Sequence, residues 1–308
     1  MVEKERRWAP YAYLAPALIS ILVLTIFPLL FTVGLAFTDA NLVSFNKGTV
    51  AFIGIKNFTE LLTGGFKDVF FPVFGWNILF AFACVITQFA LGLAAALLLN
   101  NQHMKESNFY RAILILPWAI PGNLAILSFT GIFQTTGGVL NVWLAKLFGM
   151  APVPWLQDPN LAKLAVIIVN LWLGFPWFMT VCLGALQSVP TEMYEAADID
   201  GAGKWVKFSQ LTMPLLFKVT APLLISSFAT NFNGFNTALL LVNGGPNRVG
   251  PYQAGYTDIL ASVGYKLTVN LNRYGLSAAL SCILFVLVGV ISIMNMKLTG
   301  AFGQDEEA

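Results

Sequence analysis

Six stretches of this chain are apolar for long enough to cross a bilayer as helices, and that property removes almost every soluble fold from consideration. They fall at about 11–37, 73–99, 109–133, 161–186, 215–242 and 274–296, each at or above the ~20 residues that a helix needs to traverse the hydrocarbon core. A backbone in lipid must satisfy its own N–H and C=O groups, so apolar runs of this length predict an all-α integral membrane protein. Charge agrees: 10% of the 308 residues are charged and 57% are hydrophobic, where a soluble domain carries about 25% charged residues. The first run is too long for the roughly 7–15-residue core of a signal peptide and no small-residue cleavage site follows it, so it is expected to stay as an anchor. Residues 1–308 read as one transmembrane domain, and six spans put both termini on one side.

Several chemistries are disfavoured by what the sequence lacks. A net charge of +2 is too small to point to nucleic acid. Cys84, Cys182 and Cys282 all fall inside apolar runs and read as core side chains. The single histidine, His103, sits in a short polar loop, so no clustered set of metal ligands is expected. No phosphate loop of the P-loop type appears, and no nucleophile, histidine and acid can be assembled into a hydrolase. No Asp or Glu lies in the central part of a span, and Arg111, Lys163, Lys218 and Arg273 sit near span ends, where they can snorkel. Ion-driven carriers commonly need intramembrane ionisable groups, so the energy for any transport is expected from a separate protein. A lone ion-coupled carrier and a non-transporting scaffold are the rival classes.

Lysine and arginine divide almost evenly between the two sides, and orientation rests on the amino-terminal Lys4, Arg6 and Arg7, which place both termini in the cytoplasm. The loops then outside, about 38–72, 134–160 and 243–273, are rich in Gly, Pro, Asn and aromatic residues. They predict turns and short surface helices, with Gly64-Gly65, Gly137-Gly138 and Gly244-Gly245-Pro246 as fixed turns.

One loop, 187–214, differs from its surroundings. Pro190 and Thr191 give a helix start, and Glu192, Glu195, Asp198 and Asp200 follow it. Gly201 can take the left-handed conformation that ends a helix. Lys204, Trp205, Lys207, Phe208 and Leu211 then predict a second short amphipathic helix, stopped by Pro214. Two short helices at an angle between spans would form a knob for a water-soluble partner.

Near the middle of the fourth span, Asn170, Leu173, Gly174 and Trp177 share a helix face. Ser227, Asn231 and Gly234 do the same in the fifth, with Thr230 beside them. Amides that donate and accept, next to a flat indole, suit a neutral polyhydroxylated ligand such as a sugar. The same residue types also mediate close packing between spans, and the residues alone leave both readings open. Asn233 and Asn236 are expected to point elsewhere around the fifth helix, where they suit a bond to a neighbouring span as well as to a ligand.

The set Glu195-Ala196-Ala197, Gly201 and Pro214, with Leu211 and Met213 before the proline, resembles the EAA loop of permease subunits in type I ABC importers. From Asn170 onward the segments NLWLGFPWFMTVCLGALQSVP, SSFATNFNGFNTALLLVNGGPNR and PYQAGYTDIL, together with LPWAIPG at 116–122, resemble the larger permease subunit of maltose/maltodextrin importers. The resemblance implies the type I permease fold. It also implies a sugar cavity lined by positions matching Asn170, Leu173, Gly174, Trp177, Ser227, Thr230, Asn231 and Gly234, with Trp118 and Gly122 nearby. Glu195, Ala196, Ala197, Asp198, Gly201 and Pro214 would couple the chain to an ATPase. The implied partners are a second permease subunit, two ATPase subunits that bind ATP and Mg, an extracytoplasmic sugar-binding protein, and membrane lipid, with no cofactor in this chain. Maltose or a maltodextrin is the implied cargo, with trehalose or a cyclodextrin as the alternative.

Overall fold

The computed structural model describes residues 9–101, 104–248, 250 and 252–298. Lys4, Arg6, Arg7 and His103 lie outside them. Among the described residues the regular elements are helical, with isolated bridges at Thr38–Phe52 and Asn247–Gly255.

Helix α1 (Ala9–Ile21) runs through a π turn (Leu22–Ile26) into α2 (Phe27–Ala36), and the short α3 (Leu42–Lys47) and α4 (Lys56–Leu62) lead to the long α5 (Lys67–Leu99). Then come α6 (Ser107–Ala119), α7 (Gly122–Ile132), α8 (Val139–Phe148), α9 (Pro159–Gln187) and α10 (Thr191–Ile199). Helix α11 (Lys204–Val206) passes through a second π turn (Lys207–Thr212) into α12 (Met213–Asn233), followed by α13 (Asn236–Val242), α14 (Leu260–Val269) and α15 (Tyr274–Leu298). Tyr13–Ala36, Lys67–Leu99, Pro159–Gln187, Lys204–Asn233 and Tyr274–Lys297 are each long and apolar enough to span a membrane. Helices α6 and α7, bent by 92°, make a sixth span if taken together.

Three expectations are corrected. The stretch 109–133 is broken: Ile120 (φ −96°, ψ 130°) and Pro121 (φ −55°, ψ 124°) are extended, because a residue before proline avoids the helical region. The stretch 215–242 is also interrupted, since α12 ends at Asn233 and Gly234 (φ −77°, ψ 85°) turns the chain before α13. Glycine leaves a helix at little steric cost. Pro214, in contrast, does not stop the segment that precedes it. Ahead of it the π turn lets the Met213 N–H donate to the Phe208 carbonyl, five residues back, so the helix continues through the proline ring.

The described residues divide into two compact units, one of those up to Lys67 with Gly264–Phe285 and the other of Asp68–Val263 with those from Val286 onward. In the first, Asn57 Nδ2 donates to the carbonyls of Ala36 (2.9 Å) and Thr38 (2.8 Å). Gly275 lies so close that a side chain there would strike the Thr38 carbonyl. The membrane-length window within Tyr13–Ala36 is 0% buried.

The second unit has two apolar clusters. Trp76, Phe80 and Cys84 of α5 pack with Ile126 of α7 and with Val166 and Val169 of α9. Leu93 and Ala96 of α5 pack with Met179, Cys182 and Leu183 of α9 and with Leu216 of α12. Between α5 and α9 the backbones approach at Gly92, where a Cβ would stand 2.6 Å from Phe178 Cβ and 2.7 Å from the Met179 nitrogen. Asn77, fully buried, donates to the Phe232 carbonyl at the end of α12 (2.9 Å) and accepts from the Leu260 N–H at the start of α14 (2.9 Å). A buried amide so satisfied fixes two chain ends at once. Cys84 and Cys182 are buried and free, as core side chains should be, and Cys282 is half-buried.

Candidate functional site

Both helix breaks open onto one cavity of about 410 Å³ in the second unit. The α6–α7 break contributes Pro117, Trp118, Ile120, Gly122, Asn123 and Ile126; α9 contributes Asn170 and Leu173; the α12–α13 break contributes Thr230, Asn231, Gly234, Asn236 and Thr237. None of these side chains is ionisable. The lining combines four carboxamides, two hydroxyls and one indole with apolar surface, which is the chemistry of a site for an uncharged polar ligand.

The amides are not equivalent. Asn170 Nδ2 donates to Asn231 Oδ1 (2.9 Å) and to Cys84 Sγ (3.2 Å). Asn231 Nδ2 donates in turn to the Ser227 carbonyl (2.9 Å) and Oγ (3.3 Å). Gln88 Nε2 donates to the Asn170 carbonyl (2.9 Å), and Gly174 leaves room for that carboxamide, which a Cβ would strike. This linked set ties α5, α9 and α12 together. Asn123 and Asn236, by contrast, are exposed and make no side-chain hydrogen bond among the described residues.

The segment after α9 has its own geometry. Helix α10 closes with Gly201 at φ +77°, with the Gly201 N–H donating to Asp198 O (3.1 Å) and the Ala202 N–H to Ala197 O (2.9 Å). That pair of bonds is the Schellman cap, which favours glycine at the left-handed position. Lys207 Nζ pairs with Asp198 Oδ1 at 2.6 Å, and the Tyr194 hydroxyl meets Thr212 Oγ1 at 3.0 Å, so α10 folds back on the start of the next span. The fold-back leaves Ile199 (87% exposed) and Trp205 (75% exposed) bare.

The family described as binding-protein-dependent transport system inner membrane component matches residues 88–298. The chain belongs to this family. It is 43% identical over 259 residues to the maltose/maltodextrin transport system permease protein MalF of Salmonella typhimurium, covering 82% of this chain and 50% of that protein. It is 39% identical over 298 residues to the galactooligosaccharides transport system permease protein GanP of Bacillus subtilis, covering 96% of this chain and 71% of that one. The chain thus spans about half the length of the maltose/maltodextrin permeases that it matches. Among solved structures, a bacterial ABC transporter involved in the import of the acidic polysaccharide alginate superposes with a TM-score of 0.79 at 21% identity, over 97% of both chains. That likeness establishes the type I permease fold.

Within this permease fold the positions expected from the sequence separate into two groups. Trp118, Gly122, Asn170, Leu173, Thr230, Asn231 and Gly234 line the cavity. Gly174, Trp177 and Ser227 do not: Gly174 receives Gln88, Ser227 holds Asn231, and Trp177 lies beside Trp118 with ring centroids 6.0 Å apart. Of the two uses left open for Asn236, the Gly234 break favours the ligand side, because it re-aims the residue into the cavity lining. Asn123 and Thr237 went unremarked in the sequence. The signal for Asn123 and Asn236 is an asparagine two residues after a helix breaker, Pro121 or Gly234. Glu195, Ala196 and Asp198 are exposed on α10, Ala197 is half-buried, and Pro214 lies in the first turn of α12.

Proposed function

We propose that this chain is the membrane permease subunit of an ATP-driven importer for neutral oligosaccharides, with maltose and maltodextrins as cargo. The observation that carries this reading is the uncharged, amide-rich cavity at the junction of two broken helices. Its size lies within the roughly 300–1,000 Å³ of small-molecule sites. Trp118 offers a face on which a pyranose can stack, and the amides offer donors and acceptors to hydroxyls. A uronate polymer such as alginate would find no cation in this lining. The maltose/maltodextrin relatives support the cargo, and GanP supports galacto-oligosaccharides as a second reading, since it matches nearly the whole chain.

In this reading the chain pairs with a second permease subunit and two ATPase subunits in a bacterial or archaeal cytoplasmic membrane, both termini cytoplasmic, and a soluble sugar-binding protein supplies it from outside. ATP and Mg are held by the ATPase partners. The α10 knob enters a cleft on the ATPase with Glu195, Asp198, Ile199 and Trp205 outward, and Ala196 and Ala197 allow close approach. Its rigid Schellman turn passes ATPase closure to α12, whose far end forms the cavity wall. The test is reconstitution with both partners and measurement of ATPase stimulation by binding protein loaded with maltotriose or galactobiose. Stimulation by maltotriose supports the reading, stimulation by galactobiose alone moves the cargo to galacto-oligosaccharides, and a flat response to every sugar rejects the importer.

A further inference from the structure

Away from the cavity, at the end of α9 opposite the α10 knob, the second unit gathers two cations and a buried donor around aromatic rings. Lys163 Nζ stands 4.7 Å from the centre of the Trp76 ring and 6.0 Å from that of Tyr256. Arg248 Cζ lies 4.6 Å from the same Tyr256 ring. Two cations therefore share one aromatic side chain. Among the described residues neither makes an ion pair. Two acids nearby in sequence are engaged elsewhere: Asp158 caps α9 through the N–H groups of Asn160 and Leu161, and Asp258 accepts from the Gly255 N–H and the Ser262 hydroxyl.

A third donor is present. Trp76 is 5% exposed, and its buried Nε1 has no partner. Buried polar groups are nearly always paired, so an orphan donor in the ring that Lys163 covers sets Trp76 apart from its packed neighbours. Contact with ring faces stabilises the cations, but like charges around one ring repel. An anion with two or more acceptor oxygens offsets that repulsion. Arg248 offers its terminal guanidinium nitrogens, since only Nε is engaged, with the Gly255 carbonyl at 3.2 Å. A carboxylate matches that fork.

We propose that Lys163 and Arg248, gathered on the Trp76 and Tyr256 rings, form a socket for an acidic side chain of the soluble binding protein. This rests on the importer reading above. Lys163 precedes Asn170 by seven residues, so it occupies the same face of α9 two turns further out, about 10 Å along the axis. A protein seated over the cavity to deliver sugar would cover it. Trp76 belongs to a packed interior cluster with Phe80, Val166 and Ile259, so the socket caps a protein core, a place that favours a protein carboxylate over a lipid headgroup.

The experiment uses the assembled complex in nanodiscs of zwitterionic lipid, with ATPase rate followed as maltotriose-loaded binding protein is titrated at low and high salt. For K163Q/R248Q the half-saturating concentration should rise about tenfold or more at low salt while the rate at saturation stays within about twofold, because truncated charge pairs act on affinity. Its salt dependence should flatten. K163R, which keeps the charge, should titrate like the parent, whereas R248K, which loses the fork, should weaken docking about two- to tenfold. A K163Q/R248Q complex that titrates like a stimulated parent at both salts overturns the socket alone. An effect that appears only when anionic phospholipid is added overturns the protein occupant in favour of a headgroup. A parent that no loaded binding protein stimulates overturns the importer reading and the socket with it.

Discussion

Asn170 of α9 and Asn231 of α12 are joined side chain to side chain, Nδ2 to Oδ1 at 2.9 Å, at the wall of the cavity. Each is also held from behind, Asn170 by Cys84 Sγ and Asn231 by Ser227. The two readings that the residues left open, ligand binding and helix packing, thus meet in one pair.

Asn231→Ala should lower both stability and uptake. The substitution removes the acceptor for Asn170 and the bonds to Ser227, and interhelical side-chain bonds in membranes are worth about 0.6–1.7 kcal/mol each. Thermal unfolding of the purified complex should shift down, and sugar uptake should fall with it. Unchanged melting together with lost uptake would assign Asn231 to the ligand alone.

Asn236→Val and Asn123→Ala should behave differently. Both side chains are exposed at the cavity and make no hydrogen bond among the described residues, so stability should hold. The half-saturating sugar concentration for uptake should rise roughly two- to tenfold per lost bond, the range for a neutral hydrogen bond of about 0.5–1.5 kcal/mol. Equal uptake kinetics in parent and both variants would remove these amides from the sugar site.

How far the sequence carried depended on what each feature needed. Runs of apolar residues are a one-dimensional property, so the spans were legible. Gly201 was legible as well, because a left-handed cap is a local demand that a single residue meets, and φ +77° confirms it. The ends of the fifth span were not. Pro214 reads as a stop, yet the π turn over Lys207–Thr212 carries the helix past it, and nothing in the residue types signals that extra turn. Gly234 reads as a cavity position on a continuous helix, whereas it ends that helix and brings Asn236 to the site. Spacing alone puts Gly174 on the helix face of Asn170 and Ser227 on that of Asn231. What they serve, Gln88 and Asn231, could be known only once α5, α9 and α12 were packed together.

Gly92 makes that packing testable away from the ligand. A Cβ there would press on Phe178 and the Met179 backbone, and neither can move without shifting α9. Gly92→Ala should destabilise the complex by about 1–3 kcal/mol, the usual cost of overpacking, read as a lower melting temperature. Sugar affinity in the surviving folded fraction should match the parent, because Gly92 does not line the cavity. Tolerance of Gly92→Leu with parental melting would contradict the α5–α9 approach.

The α10 knob yields the sharpest contrast between conformation and charge. Gly201 sits in open space, so a side chain there meets no atom within 4 Å and any effect must come from the backbone. Asparagine tolerates the left-handed region and a β-branched residue does not. Gly201→Asn should therefore keep ATPase stimulation, whereas Gly201→Val should lose most of it while the chain still inserts. The Lys207–Asp198 pair is partly exposed, with the Asp198 side chain 61% accessible, so Lys207→Ala should cost less than about 1 kcal/mol of stability. Glu195→Lys reverses the sign of a residue proposed to face the ATPase and should uncouple hydrolysis from the loaded binding protein without lowering the melting temperature. If Gly201→Val and Glu195→Lys both retain full stimulation, coupling does not pass through this turn.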